Sequence, residues 1–353
     1  MRRLIDRTIS RFSAISPTGR AVFRKSGKMN EFLEKKPLML KLETTNICDA
    51  RCNFCAYKKM RRPGQIMSLE LFEKTARDYA VMGGGAVTLT PCAGELLTDP
   101  HLIERLRILT SYKEIGNIGF TTNLIGHMRF SDRQWIEILR STYYLQVSSG
   151  GLDRNTYLRM FGVDKAKDVL EGIERIFLLK KKSGAKTIIS LAFRTDKRNY
   201  LKLKRKGLLV FNKNGVYISN IATYGNWAGM LDTKDKKGAI KISERRPAIR
   251  SGPCAVMATM IGVLSSGTVT ACSCCDFDGA LFPLGNIAEK GLADLYAGSG
   301  RNVLFEKSSG AKEHLCFNCS HYIGLGWMIH RGALDLKNPG NIPLKFYHFF
   351  SGG

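Results

Sequence analysis

The chain has no run of eighteen apolar residues, so no membrane-spanning helix is expected. Its N-terminus lacks the apolar stretch of a secretory signal. Acids are scarce: 30 Asp and Glu stand against 55 Lys and Arg, a net charge of +25. That excess fits three partners, namely nucleic acid, an anionic membrane surface or an anionic substrate. No RNA-recognition motif accompanies it. The charge is also not one tail. It is spread over residues 1–37, the run Lys58-Lys59-Met60-Arg61-Arg62, and residues 180–186, 197–206 and 234–250.

What is present is cysteine, ten in all, in a chain with an ordinary 44% of hydrophobic residues. They fall into a close triad, a group toward the C-terminus and a lone Cys92. Thiols at ligand spacing without an export signal favour reduced, cytoplasmic metal ligands over disulfides. The triad is Cys48, Cys52 and Cys55, spaced C-x3-C-x2-C, with Phe54 directly before the third thiol. Three thiolates can hold three corners of a cubane iron–sulfur cluster and leave the fourth iron open. A structural zinc site closes with four ligands, and ferredoxin clusters use four cysteines. The competing readings are a zinc knuckle or a chance cluster of core cysteines.

The rest of the chain alternates. Strands are expected over 38–45, 86–91, 118–122, 143–149, 187–193 and 216–220. Helices are expected over 68–82, 99–111, 131–140, 166–182 and 200–208. Six strands alternating with helices imply βα units and a parallel sheet. The thiol loop follows the first strand directly. Residues 1–37 read as a basic helical lead segment, with Leu4, Ile5, Ile9 and Phe12 near helical spacing. Packing against the main domain is the first expectation for that stripe; contact with a membrane surface is the second.

The triad in this setting resembles the signature loop of the radical S-adenosylmethionine (SAM) enzymes. In that family the open iron binds the amino and carboxylate groups of SAM. One electron then splits the sulfonium and releases a 5′-deoxyadenosyl radical, while the protein binds and orients. The resemblance implies an α/β fold, a partial (β/α)6 TIM-like barrel open on one side, with its site at the strand C-termini. It implies SAM-binding roles along those ends. Phe54 stands inside the thiol loop, and Tyr57, two residues after its last cysteine, is placed where the family contacts adenine through its backbone. Ala93-Gly94-Glu95 stands where the family has Gly-Gly-Glu-Pro, with Ala93 for the first Gly and Leu96 for the Pro. Glu95 suits an ammonium group. Asn123 ends the third strand, Ser148 lies near the ribose position, and Arg194 suits the SAM carboxylate through its planar fork.

The second cysteine group brackets a hairpin. Cys254 and Cys272 flank strands over 258–264 and 268–271 with a Ser266-Gly267 turn, and Cys316-Phe317-Asn318-Cys319 follows. Four thiolates of this kind fit zinc or iron–sulfur. Residues 254–319 resemble the twitch type of auxiliary domain, a shortened relative of the SPASM domain. That resemblance implies an auxiliary [4Fe–4S] cluster on Cys254, Cys272, Cys316 and Cys319, with Cys274 or Cys275 as a substitute ligand or a buried bystander. The domains expected are 1–37, a barrel over 38–230, an auxiliary domain over 231–325 and a tail over 326–353.

The family fixes radical initiation and leaves the substrate open. The auxiliary spacing is similar to that of twitch-type dehydrogenases acting on aminocyclitols. The favoured reading is hydrogen abstraction from a carbohydrate-like alcohol, giving oxidation, epimerisation or deoxygenation, with the auxiliary cluster as electron acceptor or donor. The substrate is expected to be anionic or sugar-conjugated, and the reductant a flavodoxin or ferredoxin. Location is expected to be cytoplasmic, with membrane-peripheral contact through 1–37 as an option. The alternatives are a ribosomal peptide maturase and, from another class, a metal-binding nucleic-acid-binding protein. With thirty-seven residues before the barrel, a leader-recognition domain of several dozen residues is not expected. His101, His127, Tyr224 and Trp227 are candidates to line the pocket, although Trp227 is first expected to pack a domain junction.

Overall fold

Strand β1 (Met39–Leu42) runs directly into the loop that carries the cysteine triad. The structure, a computed structural model, describes residues 33–151, 153–203, 216–231, 241–242, 254–298 and 315–324, with isolated positions at 300, 301, 304, 328 and 334. Most of the basic lead segment, most of the tail and the second half of the helix expected over 200–208 lie outside the described residues. Helix α1 (Leu69–Val81) starts where Ser68 accepts a hydrogen bond from the Leu71 amide, a side-chain cap on an otherwise orphaned donor. β2 (Gly85–Thr88), α2 (Leu102–Ser111), β3 (Ile115–Thr122), α3 (Asp132–Ser141) and β4 (Tyr144–Ser149) continue the alternation. A helix that the sequence pattern did not announce, α4 (Arg154–Phe161), precedes α5 (Ala166–Ser183). β5 (Ile188–Phe193), α6 (Lys197–Leu203) and β6 (Tyr217–Asn220) complete the βα series. The two-residue strands β7 (Thr223–Tyr224) and β8 (Lys241–Ile242) pair with each other. Then come α7 (Ala255–Thr259), the hairpin β9 (Met260–Val263) and β10 (Thr268–Thr270), β11 (Pro283–Asn286) and α8 (Leu292–Ala297).

Nine strands form one sheet in the order β11-β10-β9-β1-β2-β3-β4-β5-β6. β1 to β6 are parallel throughout, the mixed α/β architecture of an open barrel. β9 adds beside β1, also in parallel, and β10 and β11 follow antiparallel. The hairpin between Cys254 and Cys272 therefore extends the barrel sheet.

Alternation along the strands separates two faces. Leu40, Val87, Phe120, Leu145 and Leu191 pack against the helices in one continuous core, each large side chain contributing about 1.5–3 kcal/mol by burial. The opposite, concave face carries Lys41, Thr88, Thr121, Gln146, Ser148 and Ser190. Registers Lys41↔Thr88, Thr121↔Gln146 and Gln146↔Ser190 align them side by side. At the entry to α2, Asp99 and Arg105 form a fully buried ion pair at 2.7 Å. Arg105 also donates to the Met67 carbonyl and lies over the Phe72 ring, fixing the helix below the strand ends. Among the described residues no helix is long and apolar enough to cross a membrane.

Candidate active site and thiol sets

The triad loop is held from three sides. The Cys48 amide donates to the Tyr57 hydroxyl at 3.2 Å. From α4, the Phe161 and Met160 carbonyls accept from the Arg51 and Asn53 amides at 2.8 and 3.0 Å. Gly162 ends that helix at φ 71°, and a Cβ there would meet the Arg51 carbonyl oxygen at 2.6 Å. From the end of β2, the Glu95 amide donates to the Ile47 carbonyl at 2.8 Å. Gly94, at φ 153°, lies so close that a Cβ would stand 2.9 Å from Asn46 Cα. Ala93, by contrast, is absent from the positive-φ residues, so alanine fits where the family has glycine.

Glu95 is buried at the strand ends. Its carboxylate accepts from Thr122 Oγ1 at 2.5 Å, the Asn123 amide at 2.8 Å and the Leu97 amide at 3.1 Å. Asn123 in turn donates through Nδ2 to Asp49 of the triad loop at 2.8 Å. The structure thus brings Glu95 and Asn123 together as a bracket between β2, β3 and the thiol loop. Burial outweighs the three donors and pushes the Glu95 carboxyl up to about 7 from its ordinary 4.5. Between about pH 4.5 and pH 7 the unfolded chain has released this proton while the folded chain keeps it. Stability therefore falls as pH rises through that window and levels off above it. Melting temperatures of the cluster-free protein should show this decline, and Glu95→Gln should flatten it; an unchanged profile in that variant would count against the shift.

Phe54 is the centre of an aromatic box. It stacks on Tyr224 at 4.7 Å and meets Phe161 edge-on at 5.5 Å. Arg194 lies over its ring at 5.0 Å while Arg194 Nε donates to Ser148 Oγ at 2.5 Å. The Phe54 carbonyl accepts from Trp227 Nε1 at 3.0 Å. Trp227 also meets Phe277 and His321 edge-on, so it joins the triad loop to the C-terminal loops. Next to it, the Asn226 amide donates to Ser320 Oγ at 2.7 Å and the Ser320 amide returns a bond to Asn226 Oδ1 at 3.0 Å. Trp227 and Ala228 hold φ of 50° and 57°, a local strain of about 1–3 kcal/mol each. Of the other pocket candidates, Tyr224 is in the box. His101 is exposed at the start of α2. His127 is buried in the helix layer, where its ring presses on Gly172 of α5.

None of the ten cysteines is in a disulfide. Burial pushes the Cys48 and Cys52 thiols up, and neighbouring thiols add to it. Such a set is ill suited to stand as thiolates alone and well suited to a metal cluster that supplies positive charge. Among the described residues no three Cys, His, Asp or Glu close on a single ion; the thiols of a cubane each bind a different iron and stand further apart.

The second set gathers at the far end of the β9–β10 hairpin. Cys254 and Cys316 share one buried cluster, with Cys272 and Cys274 packed against it. Cys275 is buried among Cys272, Cys274 and Cys319 and hydrogen-bonded with all three. The Cys275 contact draws the Cys272 thiol down to about 7, and burial pushes Cys254 up to about 12. These loops owe their shape to Asp276, which the sequence pattern did not single out. Its buried carboxylate accepts from Thr270 Oγ1 at 2.6 Å and from the Ala280, Leu281 and Phe282 amides at 2.9–3.1 Å. Its signal is an acid directly after a Cys-Cys pair and ahead of Gly279.

An open parallel sheet with one thiol loop at a strand end and a second thiol set beside it defines an iron–sulfur enzyme built on a partial barrel. Residues 42–202 match the Radical SAM superfamily model, and residues 254–320 match the SPASM model, an iron–sulfur cluster-binding domain. The chain belongs to the radical SAM superfamily and carries a SPASM-type auxiliary domain; its cofactors are SAM, the SAM-binding [4Fe–4S] cluster and an auxiliary [4Fe–4S] cluster. Among curated relatives, GTP 3′,8-cyclase of Pasteurella multocida (strain Pm70) is 27% identical over 148 residues, 41% of this chain and 42% of that protein. The match thus spans about two fifths of that relative's length. Among solved structures, BtrN in complex with AdoMet and 2-DOIA superposes with TM-score 0.55 at 16% identity, covering 81% of this chain and 93% of that one. SuiB of Streptococcus suis bound to precursor peptide SuiA gives 0.56 at 17%, covering 86% and 73%. At these identities the likeness is one of fold.

Proposed function

We propose that the enzyme abstracts a hydrogen atom from a hydroxyl-bearing carbon of a carbohydrate-like or aminocyclitol substrate, leading to oxidation, epimerisation or deoxygenation. In this reading Cys48, Cys52 and Cys55 hold the SAM-binding cluster, and Cys254, Cys272, Cys316 and Cys319 hold the auxiliary one. When bound, the first cluster and SAM supply the 5′-deoxyadenosyl radical, and the second supplies a place for an electron. The chain's own residues do the positioning. Phe54 and Tyr57 fix the loop, Ala93, Gly94 and Glu95 face the SAM ammonium, Asn123 and Ser148 line the nucleoside side, and Arg194 meets the carboxylate. Ten cysteines outside any disulfide support a reducing, cytoplasmic setting, with a flavodoxin or ferredoxin as reductant.

The observation that carries the substrate reading is the concave face itself. The half-exposed Thr88 and Thr121, backed by the buried Gln146 and Ser190, give it hydroxyl and amide groups, the complement of a polyol rather than of an apolar side chain. The names of BtrN's ligand and of the GTP cyclases are in keeping with small polar substrates. SuiB's precursor peptide represents the competing class. The test is isotope transfer: the reconstituted enzyme is given SAM, reductant and ring-deuterated sugars, aminocyclitols and their conjugates. Deuterium should appear in 5′-deoxyadenosine. Label arriving only from a deuterated peptide would replace this reading with peptide maturation.

A further inference from the structure

One hydroxyl beneath the triad loop has no partner in the chain. Tyr157 on α4 is fully buried, and among the described residues its hydroxyl makes no hydrogen bond. A buried hydroxyl left in that state costs stability. The Tyr157 ring stacks on Phe161, one turn on, at 4.8 Å, and Phe161 meets Phe54 edge-on at 5.5 Å. The Phe161 and Met160 carbonyls accept from the Arg51 and Asn53 amides, so α4 grips the loop on both sides of Cys52.

The ionisable groups that act most on the hydroxyl all belong to the site: Cys52 first, then Glu95, Asp49 and Cys48. Burial and these neighbours push its proton release up, so it stands as an O–H donor. Neither acid answers it. Both Glu95 oxygens accept from other donors. Asp49 Oδ1 accepts from Asn123, and Oδ2 faces Arg129 at 3.8 Å without a bond to Tyr157. Cys52 is the group that changes when a metal binds. Its thiol becomes a thiolate, which can accept.

We propose that Tyr157 donates a hydrogen bond to the Cys52 sulfur once the triad holds its cluster, and thereby sets that cluster's reduction potential. This rests on the assignment of the triad to the SAM-binding cluster. Tyr157 is then a positioning residue that acts through Cys52. Reduction adds negative charge, so a donor to the sulfur favours the reduced state.

The test is Tyr157→Phe, which keeps the ring and removes the hydroxyl. In the cluster-free protein its melting temperature should hold or rise, because an unanswered donor is gone. Tyr79→Phe is the opposite case. The buried Tyr79 hydroxyl meets the Leu38 and Ala86 carbonyls at 3.4 and 3.2 Å, so that variant should melt lower. In the anaerobically reconstituted protein without SAM, potentiometric titration followed by electron paramagnetic resonance reads both clusters. The signal that changes when SAM is then added marks the first one. At the wild-type midpoint its reduced-to-oxidised ratio should fall about tenfold in Tyr157→Phe, the scale of one charge-assisted hydrogen bond, which is about 59 mV for one electron. The auxiliary cluster should keep its potential. An unchanged midpoint in the loaded variant, an equal shift of both clusters, or cluster-free melting that falls as in Tyr79→Phe would overturn the proposal. Wild type without a SAM-responsive cluster would sink the triad assignment itself, a result distinct from a loaded cluster indifferent to Tyr157.

Discussion

Cys48→Ala should leave a folded protein that makes no 5′-deoxyadenosine and holds about four irons per chain where wild type holds about eight. The loop's shape does not depend on the thiol. It is set by the Cys48 amide on Tyr57, by Glu95 on Ile47, and by the Arg51 and Asn53 amides on the end of α4. What the substitution removes is one corner of a three-corner set with no fourth cysteine in the loop. The measurement is anaerobic iron analysis with chromatography of the SAM products. Wild-type turnover in the variant would remove the triad from the chemistry.

Asp276→Ala should unseat the auxiliary thiols. Four donors converge on that buried carboxylate, and alanine leaves the Thr270 hydroxyl and three amides without an acceptor. A loss on the order of 3–5 kcal/mol follows from stranding several buried donors of a charged acceptor. Thr270 Oγ1 also accepts from the Cys272 amide at 3.2 Å, so the disturbance reaches the first thiol of the loop. The expected readings are a lowered melting temperature and iron falling toward about four per chain. Asp276→Asn keeps one acceptor oxygen and should fall between the two. Full iron and an unchanged melting temperature in Asp276→Ala would show that the loop holds its shape by other means.

The elements with strong local signals were legible in the sequence. The strand–helix alternation announced all six barrel strands, and Ser68 marked a helix start that the structure caps as expected, whereas the Asp99-Pro100 start gives way to a helix that begins at Leu102. The triad and the hairpin between Cys254 and Cys272 were visible because thiol spacing and turn residues are local. What was not legible depends on partners distant in the chain. α4 packs Tyr157, Met160 and Phe161 beneath the triad loop, and only that contact explains so short a helix. β9 joins β1 in parallel, a pairing that no periodicity encodes. Glu95 reads as a ligand to SAM from its motif, yet its partners Thr122 and Asn123 come from β3 and its end.

The most direct measurement is made on the wild-type protein. Iron and sulfide are reconstituted anaerobically, iron is counted per chain, and SAM and a reductant are added. The account predicts about eight irons and formation of 5′-deoxyadenosine. Bound zinc, or no SAM cleavage under any reductant, would contradict it.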